Sequence, residues 1–420
     1  MFFLRRFQSL VFFLFVLDLL LLGAGVDIPG MNVSSRKLFF LLFGVASLLV
    51  YFGEFATRGS VDVVPMLAAS LFLCVWAIFI PYFVHGNFAY AMSDVMPLAA
   101  SGVFLFTADF PRWRNVWTDI RGMLLAFLYA FALLHVILYL ILMVYPDLLL
   151  DLAETFALIF DVGVGDDARF VFFTPLDGGG ARIYFGSSFL LLIGLYFLIS
   201  DEGEYFGSGL RSWVVFAALL IGALWATNTR SLLLGAAAML FLFPVSRWLM
   251  SRLRKSWLTL FLLLVLPFFL SFLLIPTVDT ELLAFLGLGR EGSDDVRSEQ
   301  LYSLLNAFSE HWLFGLGFGA NASFVRAEAS PYAYELSILA LFMKIGVVGI
   351  LVACGIWASL LVSPQLGMEK ASARKLSALY VLYFSFVVSC FYNPYIFGFF
   401  GTLFLLFVLY EFSFLAKDSK

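Results

Sequence analysis

Twelve stretches of this chain are apolar enough, and close enough to twenty residues long, to cross a lipid bilayer, and they constrain everything else about it. They run over 8–26, 37–53, 65–84, 91–108, 122–145, 184–200, 212–228, 231–246, 256–276, 332–362, 376–394 and 396–415. A helix rises ~1.5 Å per residue and a bilayer core is ~30 Å thick, so about twenty apolar residues make one span. Within lipid every backbone N–H and C=O must find a partner inside the protein, which a helix provides from its own chain. At 63% hydrophobic and 13% charged residues, an ordinary soluble globule is excluded. The expectation is an all-α polytopic membrane protein of about twelve transmembrane helices with two large outer loops. The first span is too long, and too poor in small residues at its end, to read as a cleaved signal peptide.

The basic residues orient the spans. With the N-terminus inside, 16 of the 25 Lys and Arg residues fall on the inner side, 8 on the outer side, and Lys344 within a helix. That bias follows the positive-inside rule and puts both termini in the cytoplasm. The chain then divides into N-terminal spans (1–145), an outer loop (146–183), central spans (184–276), a large outer loop with an amphipathic helix (277–331) and C-terminal spans (332–420). Both outer loops are acidic: 2 basic against 7 acidic residues in the first and 3 against 8 in the second. Their arginines, Arg169 and Arg182 in one and Arg290, Arg297 and Arg326 in the other, are therefore isolated cations and not parts of a cationic field. No basic patch exceeds what topology requires, so nucleic acid is not a partner.

Several groups have a bland reading beside a functional one. Asp18 and Asp94 lie within spans, where a carboxylate turns to the bundle interior as an interhelical hydrogen-bond acceptor or as part of an ion relay. Cys74, Cys354 and Cys390 fall in spans with no metal or redox spacing and read as small core residues. The acidic turn from Asp161 to Asp167 matches no calcium-loop spacing and reads as solvated. His85 and His135 have no spacing for a metal.

Chemistry concentrates in 225–350. Thr227-Asn228-Thr229-Arg230-Ser231 is a tight outer turn in which Thr229 caps a helix starting at Arg230 or Ser231. A helix start favours phosphate, and an arginine there adds a bidentate donor, although a membrane-anchoring arginine would look the same. In the large loop, Leu301, Leu304, Leu305, Phe308 and Trp312 form an apolar stripe at helical spacing, with Arg297 off that face. Gly315, Gly317 and Gly319 follow. No strand precedes them, so a nucleotide loop is excluded and close backbone approach or a re-entrant bend is the better account. Ser330-Pro331 has the form of a helix start, placing Glu335 in its first turns, where the dipole favours an ionised proton acceptor. Lys344, nine residues on, would lie ~13 Å deeper and on the opposite face, so it must meet a partner from another span. His311 is the one histidine in an outer loop, able to act as acid or base or simply to pack at the interface.

These pieces, in this order, resemble the O-antigen polymerase and ligase superfamily of bacterial inner membranes. The resemblance is carried by Thr229-Arg230-Ser231-Leu-Leu-Leu-Gly, by Arg297, by Ser309-Glu310-His311-Trp312-Leu-Phe-Gly315-Leu-Gly317-Phe-Gly319, and by Tyr334-Glu335-Leu336 followed by Lys344-Ile-Gly346-Val-Val-Gly349. Ligases generally begin the helix after the large loop with a His-Asn pair. This chain has Tyr332-Ala-Tyr334-Glu335, which favours the polymerase branch. The resemblance implies a metal-independent glycosyl transfer needing no cofactor, with the outer loops in the periplasm. The donor would be a glycan on undecaprenyl pyrophosphate and the acceptor a sugar hydroxyl on a second lipid-linked repeat unit. Glu335, Arg230 and His311 then become the candidate catalytic residues, and Arg169, Arg182, Arg297, Arg326, Tyr334 and Lys344 the candidate substrate-binding ones. Partners would be lipid-linked oligosaccharides, membrane lipids and a chain-length regulator protein. The rival from another class is a twelve-helix secondary transporter, which the buried Asp18, Asp94 and Lys344 also suit.

The orientation is directly testable. Single-cysteine tags near Asp177 and Ser293 should react from the periplasm, and tags near Ser251 and Glu369 should not. Reaction at 293 only after the inner membrane is permeabilised would invert the topology.

Overall fold

The computed structural model describes residues 2–21, 38–50, 63–107, 114–155, 171–175, 181–200, 210–252, 261–270, 293–361, 373–390 and 401–412, apart from a few positions inside these stretches. The described chain is mostly helical. In order come α1 (Phe2–Leu21), α2 (Val63–Leu73), a π turn at Cys74–Phe79 running into α3 (Ile80–Val84), α4 (Phe88–Thr107) and α5 (Arg114–Val144). Then follow β1 (Val171–Pro175), β2 (Ala181–Phe185), α6 (Leu191–Ser200), α7 (Leu210–Thr227), α8 (Arg230–Arg252), α9 (Ser293–Glu310), α10 (Ser337–Leu361) and α11 (Ala373–Cys390). Among the described residues four helices are long and apolar enough to cross a membrane: Ile120–Val144, Arg230–Arg252, Ser337–Ser359 and Ala373–Cys390. Large side chains such as Phe83, Trp225 and Phe241 stand exposed on helix surfaces, as a lipid-facing surface requires. The chain is therefore a largely helical membrane protein.

Two compact units divide it: Met1–Gly59 with Thr107–Leu240, and Ser60–Phe106 with Phe241–Lys420. In the first unit α5 packs along α7, and β2 rests on both. The hairpin is a departure from the all-α expectation. Val171-Phe-Phe-Thr174 and Ala181-Arg-Ile-Tyr-Phe185 pair antiparallel, with Thr174 opposite Arg182. β-Branched and aromatic residues suit a pleated surface, and here they also bury most of β2. The expected span over 184–200 consequently begins as a strand and a short 3₁₀ turn before α6. His135 of α5 pins this corner. Its Nδ1–H donates to the Phe131 carbonyl at 2.8 Å, which leaves Nε2 to accept from the Ser188 hydroxyl at 3.1 Å. Ser188 Oγ in turn accepts the Phe185 N–H at 2.9 Å.

The second unit is organised around a broken helix. Gly346 of α10 has φ 63° and ψ −177°, so the helical ladder is interrupted there. In an unbroken helix Val347 N–H would bond Met343 C=O, and Val348 N–H would bond Lys344 C=O. All four groups instead bond the segment that follows α9. Val347 and Val348 N–H donate to the Trp312 and Leu313 carbonyls at 2.9 and 3.0 Å. The Met343 and Lys344 carbonyls accept from Leu316 and Gly317 N–H at 2.9 and 2.7 Å. A break in an apolar helix survives because an inserted irregular segment satisfies it.

The far side of that segment meets a second irregularity. In the π turn the Ile80 N–H bonds Val75 C=O, five residues back. Pro81 comes next and has no N–H to give Trp76 C=O. Phe318 N–H fills that vacancy at 2.9 Å, and the Trp76 indole N–H donates to Phe314 C=O at 2.8 Å. The His85 ring then meets the Phe318 carbonyl at 3.1 Å through Nε2. Burial pulls His85 below the usual histidine range, against the opposing pull of that carbonyl. Its neutral form is also the one whose Nδ1 can accept the Asn87 N–H at 3.2 Å.

Glycine is compulsory at this crossing. A Cβ on Gly319 (φ 77°) would lie 2.3 Å from the Ala91 backbone nitrogen, and one on Gly346 would lie 2.4 Å from the Leu313 carbonyl oxygen. Gly319→Ala should therefore lower stability by more than ~1 kcal/mol, since positive φ and a backbone clash act together. Gly355→Ala, on α10 with open space around it, should leave thermal unfolding in detergent unchanged or slightly raised. Equal melting temperatures for the two variants would refute the threading.

Candidate functional site

α9 carries the apolar stripe expected of it. Leu304 is fully buried, Leu301, Leu305 and Phe308 are partly so, and the helix packs on α10. It ends at Glu310, which puts Trp312 beyond the helix and exposed. Off the stripe, Arg297 Nε donates to Glu335 Oε2 at 2.9 Å, with side chains 25% and 19% exposed. One turn further along α9, Gln300 is buried and its Oε1 accepts the Leu336 N–H at 3.1 Å. A single face of α9 thus grips the two residues that lead into α10.

The start of α10 differs from the expectation. Ser330 lies outside the described residues, and Pro331-Tyr332 form a turn that does not open a helix. The first helical bond runs from Ala340 N–H to Leu336 C=O, so Leu336 caps the helix and Glu335 precedes it. The cause is visible in the backbone partners. The Tyr332 carbonyl accepts from Lys344 Nζ at 2.9 Å and the Leu336 N–H is taken by Gln300, which diverts both from a helical ladder. Ser337, the first helical residue, donates its hydroxyl to the Cys390 carbonyl of α11.

Lys344 finds its partner in Asp94 of α4. Nζ lies 2.8 Å from Oδ1 and 2.7 Å from Oδ2, with side chains 1% and 3% exposed. Asp94 Oδ2 also accepts the Gly319 N–H at 2.8 Å. Lys344 was expected to meet a partner from another span, with a structural and a substrate-binding role equally open, and its ammonium is held in the interior by Asp94. Tyr334, another candidate, also faces the interior. Its side chain is buried and its hydroxyl oxygen accepts the Ala322 N–H at 2.6 Å. Burial pushes that hydroxyl up to about 12; the Ala322 bond opposes the shift and the Asp94 charge adds to it. Tyr334 is thus a neutral packing residue.

The remaining candidates fall in different places. His311 is exposed just past α9, its carbonyl accepting Gly315 N–H at 2.8 Å. Arg169, Arg326 and the acidic turn 161–167 lie outside the described residues. In the first unit, Arg230 opens α8, and the Leu232 and Leu233 N–H groups both donate to the Thr229 carbonyl at 3.0 Å, as a helix capped at Thr229 requires. Asn228 turns the chain with φ 39°. Arg182 straps this turn: Nε donates to Thr227 C=O and Nη2 to Thr229 Oγ1, both at 3.2 Å. Its guanidinium also lies over the Tyr184 ring at 5.3 Å.

The structure therefore unites Arg297 with Glu335, and Arg182 with the turn that presents Arg230. Reading the sequence missed Gln300 and did not pair Asp94 with Lys344; the one available signal was that a buried lysine demands a carboxylate. Cys74, expected in the core, is exposed, while Cys354 and Cys390 are buried. Among the described residues no three His, Cys, Asp or Glu side chains are grouped to hold a metal ion. No family profile, curated protein or solved structure matches this chain.

Arg182→Ala should leave the buried Thr227–Thr229 turn short of donors and lower stability by ~1–3 kcal/mol. Differential scanning fluorimetry of detergent-purified protein reads the loss. An unchanged melting temperature would return Arg182 to the pool of residues available to a ligand.

Proposed function

We propose that this chain is an O-antigen-type glycan polymerase of a bacterial inner membrane, transferring a glycan from undecaprenyl pyrophosphate to a sugar hydroxyl of another lipid-linked repeat unit. The observation that carries the reading is the part-exposed Arg297–Glu335 pair, set immediately before the span-length α10. A sugar hydroxyl is a poor nucleophile and needs a proton acceptor, while the departing pyrophosphate needs positive charge. A carboxylate and a guanidinium at the end of a membrane helix supply both chemistries. In the reaction the bond from the anomeric carbon to the phosphate oxygen breaks and the bond to the acceptor oxygen forms. The hydroxyl proton passes to Glu335, and the electron pair stays on the pyrophosphate.

The same reading assigns Arg230, at the start of α8, to the pyrophosphate of a lipid-linked substrate, with Arg169 and Arg326 as further anion contacts and His311 as the next candidate base. Twelve spans, cytoplasmic termini and two periplasmic loops belong to the proposal, as does a chain-length regulator as partner. A ligase acting on a lipid A-core acceptor fits less well, because the stretch before α10 has no histidine. One observation favours a transporter as second reading: a broken helix beside a buried ion pair is a feature of transporter binding sites. Uptake by proteoliposomes without polymer formation would select it.

Glu335→Gln keeps shape and removes basicity. The purified variant should bind lipid-linked substrate normally and lose ~10²–10⁴ in polymerisation rate. Retention of more than about a tenth of the wild-type rate, less loss than the smallest general-base effect, would move the base elsewhere.

A further inference from the structure

We propose that Asp94 and Lys344 are positioning residues for the Arg297–Glu335 pair, a role that rests on the polymerase reading for its consequence but not for its geometry. Three segments distant in sequence converge on these two side chains. Asp94 belongs to α4 and Lys344 to α10, and Nζ sits between both carboxylate oxygens at 2.7–2.8 Å. Asp94 Oδ2 holds Gly319 N–H, the last glycine of the inserted segment. Lys344 Nζ holds the Tyr332 carbonyl, three residues before Glu335. The backbone of Lys344 joins in as well, because its carbonyl accepts the Gly317 N–H at 2.7 Å.

The consequence lies in the 332–336 turn. At its far end Gln300 of α9 holds Leu336 N–H; at its near end the Lys344 ammonium holds Tyr332 C=O. Between these two holds stands Glu335, facing Arg297 of the same α9. One hold comes from the helix that carries Arg297, the other from the buried ion pair. Removing the pair frees the near end while leaving α9 in place. The Tyr90 ring, 5.6 Å from the Tyr332 ring, is a contact that would remain and keep the turn near its site but not fixed. Neither Asp94 nor Lys344 needs to touch substrate, and at 3% and 1% exposure neither is placed to do so.

A purely structural ion pair gives a different result from a positioning one. Lys344→Met alone strands a buried carboxylate and should cost stability heavily. Asp94→Asn/Lys344→Met removes both charges and should recover much of that stability. If the pair positions the turn, the recovered protein should still be slow. With undecaprenyl-pyrophosphate-linked oligosaccharide extracted from a strain lacking this chain as substrate, kcat should fall on the order of 100-fold and KM stay within about twofold, as for a misplaced catalytic group. A second readout needs no activity. Cysteines at 297 and 335 in a Cys74→Ala background should be joined by a short bis-maleimide, and the double variant should slow that reaction at least about tenfold, since fixed geometry is what gives neighbouring groups their high effective molarity.

Unchanged cross-linking in a folded double variant overturns the positioning role whatever the activity does. Slowed cross-linking with unchanged kcat overturns its catalytic consequence. If wild-type protein makes no polymer from the extracted substrate, the polymerase reading fails, and cross-linking still decides the geometry. Should the double variant not fold, Asp94→Asn/Lys344→Gln is read in the same assays. If both neutral doubles fail to fold while Lys344→Arg folds with normal kcat, the pair is structural and the proposal is withdrawn.

Discussion

The second unit depends on how two missing helical hydrogen bonds at Gly346 are replaced. Each unsatisfied backbone group in an apolar interior costs several kcal/mol, so a broken membrane helix is stable only where another part of the chain completes it. Trp312–Gly317 does so with four bonds, two to carbonyls and two to N–H groups. From that replacement the rest follows. The inserted segment must come within backbone contact of α10, which dictates glycine; it must continue past Pro81, whose missing N–H leaves Trp76 C=O for Phe318; and it ends where Gly319 N–H meets Asp94. A proline and a glycine, each a helix breaker taken alone, are complementary here.

Much of this was legible in the sequence, because local signals agree with the fold where side-chain pattern and backbone need coincide. The stripe from Leu301 to Phe308 marked α9, and Thr229 marked the start of α8 at Arg230. The three glycines, lacking a preceding strand, implied close backbone approach, and all three have positive φ. The hairpin over 171–185 was hidden because its two five-residue strands fall in the stretch read as an outer loop, and the second runs on into the apolar stretch read as a span from 184. At Ser330-Pro331 a genuine helix-start signal was overridden by tertiary bonds from Lys344 and Gln300. The Asp94–Lys344 pair joins residues 250 positions apart, and no local pattern encodes such a meeting.

In the candidate site the same distinction applies. Residues that the resemblance marked as functional divide by burial in the fold. Arg297 and Glu335 remain part-exposed and paired, whereas Tyr334 and Lys344 turned inward to satisfy backbone groups. A polar side chain in a membrane protein has two possible employers, the ligand and the protein's own unpaired peptide groups, and sequence does not say which.

That division bears on why a membrane protein would keep a buried Asp–Lys pair. Placing a lysine or aspartate at a span centre costs ~2.5–3.5 kcal/mol on insertion scales, and an apolar pair of equal volume is often as stable or more so. Stability is therefore a weak account of Asp94 and Lys344. An apolar pair, however, has no donor for Tyr332 C=O and no acceptor for Gly319 N–H. The charges supply directional bonds to two backbone groups that belong to different segments, and each bond is anchored by the opposite charge. Such a pair fixes position where packing alone would only fill space. It sits at the junction of the inserted segment and the turn bearing Glu335, where a displaced backbone would carry a proposed reacting carboxylate with it.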